Sequence, residues 1–140
     1  MDYPILQPAI TLVLWSLVML AWMIAVRIPA LRAANIPLDV VGGRGINLDG
    51  VVPDRAQWPS HNYNHLMEQP TLFYITIAAI ALAAPSDTVS IWLAWAYVGL
   101  RIAHSVYQAT RNVVAIRFSL FALSSVALIG LAARAAVLVF

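Results

Sequence analysis

Cysteine and lysine are both missing from these 140 residues. Without cysteine there is no disulfide, no thiolate metal ligand and no cysteine nucleophile, and the redox compartment leaves no mark. Without lysine, every fixed positive side chain is an arginine. Charge of either sign is scarce. Lys+Arg is 8, Asp+Glu is 6, and charged residues make up 10% of the chain against 62% hydrophobic ones. A soluble domain is about 25% charged and about 45–50% apolar. The shortfall excludes an ordinary soluble domain, a disordered chain and a basic-patch nucleic-acid binder, so no nucleic-acid partner is expected. The length allows one domain. There is no internal repeat and no low-complexity segment.

Long uncharged runs take the place of the missing charge. A membrane span needs roughly 20 mostly apolar residues. Nothing between Asp2 and Arg27 is charged, which predicts a first span over 6–31. The next uncharged run, between Glu68 and Asp87, is slightly short. The second span is therefore expected over 60–84, with Glu68 inside it. APSDT (84–88) ends that helix at Pro85 and offers Ser86 or Asp87 as the N-cap of the next. The third span is placed over 88–110 and contains Arg101 and His104. The fourth is placed over 114–137. Four spans with short connections predict an all-α, integral membrane four-helix bundle in contact with membrane lipids.

Orientation follows arginine bias. Arg27, Arg32, Arg44 and Arg55 flank or occupy the first connection, and Arg111 and Arg117 flank the third. The opposite side has Asp2 and Asp87, with Arg134 the one positive charge near the C-terminus. Both termini are thus expected on the non-cytoplasmic side. MDYP at the start has no positive n-region, so no cleaved signal peptide is expected. Trp92 and Trp95 would lie near the outer interface and Trp58 near the inner one. The stretch 35–57 is expected to be a cytoplasmic loop. Its GGRG (42–45) lacks the Lys-Ser/Thr of a phosphate loop and no strand precedes it.

Polar residues inside spans are functional candidates by default. His61, Asn64, His65 and Glu68 fall at i, i+3, i+4 and i+7 on the second helix. Tyr97, Arg101, His104, Gln108 and Arg111 fall at i, i+4, i+7, i+11 and i+14 on the third. Each set shares one helix face. At about 1.5 Å per residue, Glu68 lies about 12 Å from the inner end of its helix and Arg101 about 15 Å from the inner end of its own. An ion pair between them is the natural prediction, because an unpaired charge there costs several kcal/mol. The alternative is that the pair merely fixes helix register. Three His and one Glu lack HExxH spacing, and the arginines would repel a cation, so no metal is expected. Arginines instead fit a carboxylate-bearing ligand. Arg117, near the start of the fourth helix, can turn inward over the bundle.

HNYNHLMEQPTLFY (61–74) followed by RIAHSVYQATRNVVAIR (101–117) resembles the MAPEG family, the membrane-associated proteins in eicosanoid and glutathione metabolism. The resemblance covers nearly the whole chain. It implies a homotrimer that binds glutathione between neighbouring subunits near the cytoplasmic face. Glu68 stands at the family's helix-two Glu, and Leu72-Phe73 at its apolar-Phe ending. His61 stands where the family has Arg, His65 where it has Asn with Asn64 beside it, and Pro70 comes one residue early. RIAH is similar to prostaglandin E synthase members, whose following Tyr is here Gln108, with Tyr107 one residue early. Arg117 falls at the spacing of the thiol-activating arginine, and Arg27 where a first-helix arginine reaches glutathione.

The resemblance therefore implies Arg117, Tyr107 and His104 as catalytic residues. Arg27, His61, Asn64, His65, Glu68, Arg101, Gln108 and Arg111 form the cofactor-binding set. The chemistry is coherent. Arginines hold the carboxylates of glutathione, Glu68 accepts its ammonium, and a cation near the thiol lowers its pKa from about 8.5 and populates the thiolate. Two functions follow. One is a glutathione-dependent transferase or peroxidase acting on a lipophilic small molecule that arrives from the bilayer. The other is a non-catalytic protein of this fold, a lipid-binding scaffold or accessory subunit of a larger membrane complex. A small multidrug-type transporter would need an acid in helix one, which has none between Asp2 and Arg27. Arginine-only, alanine-rich usage points to a bacterial inner membrane.

Overall fold

The computed structural model describes residues 3–37 and 45–140. Asp2 and residues 42–44 of GGRG lie outside them. Five helices follow one another: α1 (Leu6–Ala33), α2 (Asp54–Glu68), α3 (Pro70–Ala83), α4 (Thr88–Thr110) and α5 (Val114–Val139). Among the described residues one 3-10 turn, Gly45–Leu48, precedes α2. No strand forms among the described residues. With α2 and α3 taken together as Asp54–Ala83, four helical segments are long and apolar enough to cross a membrane. α1 has 28 residues, about 42 Å at 1.5 Å each, against about 30 Å of hydrocarbon.

The bundle is apolar both inside and outside. Ile5, just before α1, and Leu12 and Met19 of α1 meet Leu66, Phe73, Ile77 and Ile80 of α2 and α3, Tyr97 and Val98 of α4, and Leu131 of α5. Many equally large side chains point away from this core, among them Leu14, Leu17, Ile75, Leu82, Trp92, Ile129 and Val137. Such a surface matches a solvent of acyl chains rather than water.

The breaks have local causes. Pro70 has no N–H and its ring opposes the preceding turn, so the helix interrupts at Gln69 and restarts with proline in its first turn. Thr71 donates its hydroxyl to the Glu68 carbonyl at 2.6 Å across that break. α1 ends where Asn35 enters the left-handed region (φ 53), with the Ile36 amide donating to Leu31 O at 3.1 Å. α2 begins at Asp54, six residues before the expected start at 60. Pro53 before it and Asp54 in its first turn are ordinary helix-start signals.

At the far end, Asp87 caps α4. It accepts from the Ser90 amide at 3.0 Å and the Ser90 hydroxyl at 2.5 Å, and Arg134 Nη2 reaches its other oxygen at 2.8 Å. One carboxylate thus ties the start of α4 to the end of α5. The Ser90 hydroxyl, then its amide and the Arg134 charge, hold the Asp87 carboxyl below the usual carboxylate range. A depressed native pKa gives stability that is present above the unfolded value, near 3.9, and lost as pH falls through the lower native one. Asp87→Asn, which keeps an N-cap acceptor but removes the ion pair to Arg134, is therefore expected to lower the melting temperature slightly at pH 7, a loss of about 1 kcal/mol or less. It should flatten the acid limb of a melting-versus-pH curve below pH 4. An unaltered acid limb would show that the carboxylate carries none of it.

Candidate functional site

The polar stripe of α4 faces inward. Tyr97, Arg101, His104, Ser105 and Gln108 are all buried, while Arg111 at the helix end is exposed. The α2 stripe is turned the other way. His61, Asn64 and Glu68 are exposed and His65 is half-buried; the buried amide of this helix is Asn62. The expected Glu68–Arg101 pair is not formed. Glu68 Oε2 lies 3.0 Å from His65 Nδ1, three residues back on its own helix. Arg101, 1% exposed, donates Nη2 to the His65 carbonyl at 2.8 Å, and its Nε and Nη1 have no partner. Similar depth does not bring two side chains together when they project from opposite faces of their helices.

His65, His104 and Arg117 converge. With Val114, Phe118 and Phe121 they line an open cleft of about 210 Å³ between α2, α4 and α5. The two imidazoles meet edge to face with centroids 6.3 Å apart. Phe121, which lines the cleft, also carries the Arg101 guanidinium 6.0 Å from its ring centroid. One cation therefore lines the wall, and a second packs against one of its aromatic rings.

Arg117 is held by a residue outside the expected set. The Arg111 and Asn112 amides both donate to Tyr107 O, at 2.9 and 3.0 Å, and Asn112 takes a left-handed φ of 54° to reverse the chain into α5. Its Oδ1 accepts from Arg117 Nη1 at 2.8 Å. Asparagine tolerates this backbone where most residues lose about 1 kcal/mol. Asn112→Ala is accordingly expected to destabilise by about that much and Asn112→Gly to restore most of it. Equal melting of the Asn and Ala proteins would remove the turn argument. The sequence signal was there, an Asn two residues past the end of α4.

The remaining candidates lie elsewhere. Tyr107 is half-buried and does not line the cleft. Gln108 is buried with neither amide atom partnered. Arg27 donates Nη1 to Ser60 Oγ at 3.1 Å, and Gly45 packs so closely on its guanidinium that a Cβ there would sit 3.0 Å from Nη2. Gln57 Nε2 bridges Gly45 O and Asp49 Oδ1 at 3.1 Å each, with His61 Nε2 at 3.6 Å from the same Asp49 oxygen. Arg27 and His61 are thus engaged in tying the 3-10 turn to α2. Asn62 and Trp15 Nε1 both donate to Ser105 Oγ, the second at 2.9 Å, joining α2, α1 and α4. Among the described residues no three His, Asp or Glu side chains converge as a metal would need.

No curated protein and no solved structure matches the chain. The family model of the MAPEG family matches residues 5–137, nearly all of it. Four apolar spans and a match of that extent establish an integral membrane protein, and the chain belongs to the MAPEG family.

Proposed function

We propose that the protein is a thiol transferase that conjugates glutathione to lipophilic electrophiles, with Arg117 as the charge that favours the thiolate. The observation that carries this reading is the convergence of Arg117, His104 and His65 on one open cleft. Glutathione, when bound, supplies a thiolate that bonds to an electrophilic carbon as the leaving group departs with its electron pair. Arg117 offers a guanidinium at the cleft wall, fixed by Asn112, to hold the negative charge. His104 is placed to donate to the sulfur or to the departing group. Arg101, buried against Phe121, does not reach the cleft itself but adds a second positive charge near it, which favours an anion there.

The cleft fits a thiol and one anionic end, not a whole tripeptide. Small-molecule sites usually run from about 300 Å³ upwards. The missing walls are assigned to neighbouring copies in a homotrimer. Exposure of His61, Asn64 and Glu68 on one face of a spanning helix supports this, because polar groups facing lipid are costly until covered. The arginine-rich ends of the spans are placed on the cytoplasmic side of a bacterial inner membrane, with both termini opposite. The second reading, a lipid-binding scaffold or accessory subunit without turnover, is favoured by one observation: Arg27 and His61 are tied to the 3-10 turn instead of the cleft.

Isothermal titration of reduced glutathione into the detergent-solubilised protein tests the choice. Saturable heat at millimolar thiol or below, followed by conjugation of a nitroaromatic halide, is the expected result. Absence of both, with a stoichiometric protein co-purifying, would establish the scaffold reading instead.

A further inference from the structure

We infer that His65, oriented by Glu68, is the base that removes the thiol proton in this cleft. The inference rests on the thiol reading above and adds a proton acceptor to it.

An ionised carboxylate can only accept hydrogen bonds. Contact of Glu68 Oε2 with His65 Nδ1 at 3.0 Å therefore puts the ring proton on Nδ1. Nε2 is left with its lone pair, and among the described residues nothing bonds to it. The same imidazole lines the cleft that Arg117 lines. Its backbone is fixed too, since Arg101 grips the His65 carbonyl at 2.8 Å from a neighbouring helix. A base, a carboxylate that orients and strengthens it, and a cation for the resulting anion are thus present together.

The step balances without a further reactant. The thiol S–H bond breaks, its proton goes to His65 Nε2, and the electron pair stays on sulfur beside Arg117. Glu68 stabilises the imidazolium through Nδ1–H without itself taking the proton. After conjugation, the proton on Nε2 leaves through the open mouth of the cleft together with the departing anion. The charged and titratable groups around His65 are Glu68 and His61 on α2, Arg101 and His104 on α4, and Arg117 on α5. Glu68 is the one acid among them.

The rate of thiolate formation decides the matter. Glutathione is mixed at pH 7.5 with wild type and with His65→Asn, and the ultraviolet thiolate absorbance is followed in time at several buffer concentrations. Wild type is expected to form thiolate at a rate independent of buffer concentration. His65→Asn should form it roughly tenfold more slowly, less than for an enclosed base because water can substitute, and added imidazole should restore part of the rate. Glu68→Gln, which keeps the shape and removes the charge, should slow the step by a smaller factor. A wild-type rate that rises with buffer concentration would overturn the inference and leave the thiol reading intact. No binding heat and no thiolate in wild type would overturn both. Because the buffer dependence of wild type decides alone, a poorly folding His65→Asn does not rescue the idea.

Discussion

Arg117→Ala is expected to cut thiol-dependent turnover by about a hundredfold or more while the protein melts near its wild-type temperature. A hundredfold loss corresponds to about 2.7 kcal/mol of transition-state stabilisation, the scale of removing one preorganised group from a developing anion. The structural loss is small. Arg117 is half-buried and its side chain makes one hydrogen bond, to Asn112 at the helix junction. Arg117→Lys should recover only part of the rate, since an ammonium supplies a point charge without the planar fork that Asn112 and the ligand share. Thiol affinity should fall less than turnover, because the charge matters most once the proton has left. The measurement is kcat and KM for conjugation alongside a melting curve. Wild-type turnover in Arg117→Ala would remove the residue from the reaction.

The residues that converge were legible because charge in a span has few explanations. Arg117 and His104 follow from spacing and depth, and the structure sets both on the cleft. What misled the sequence argument was the assumption that polar residues of a span turn inward. α4 obeys it. α2 does not, because its inner face is made by Ala56, Leu66 and the small amide Asn62, which bonds Ser105. Both sets recur at helical spacing, so period alone could not choose between 61/64/68 and 62/66. The ion pair failed for a related reason. Arg101 found a carbonyl, and Glu68 found the histidine one turn away on its own helix. The early start of α2 was hidden by hydropathy. DRAQWPSH is too polar to read as a span, yet Gln57 and Ser60 are buried against the 3-10 turn and α1. Caps proved more readable than pairs, since Asp87 needs only a residue three positions on.

Phe73→Ala is expected to be the most destabilising single change in the bundle, by about 3 kcal/mol. Phe73 is fully buried and stacks on Tyr97 at 4.5 Å with 26° between the rings, so one side chain holds α3 to α4 just beyond the break at Gln69. In water such a truncation loses both transfer energy and packing, about 3–5 kcal/mol. In a bilayer the unfolded reference is lipid, which is as apolar as the core, so the transfer part shrinks and the cavity part remains. That argument places the value at the low end and makes a control available. Leu82 is large and apolar but faces outward, so Leu82→Ala leaves no internal cavity and should shift melting by less than about 0.5 kcal/mol. Tyr97→Phe keeps the stack and loses only a long 3.5 Å contact from its hydroxyl to Gln69 Oε1, and it should also be mild. Thermal unfolding of the three variants in the same detergent separates the terms. If Phe73→Ala melted no lower than Leu82→Ala, aromatic packing between α3 and α4 would not be what holds the halves of the broken helix in place. The hydrogen bond from Gln69 Nε2 to Ser125 Oγ at 2.8 Å would then be the next contact to remove.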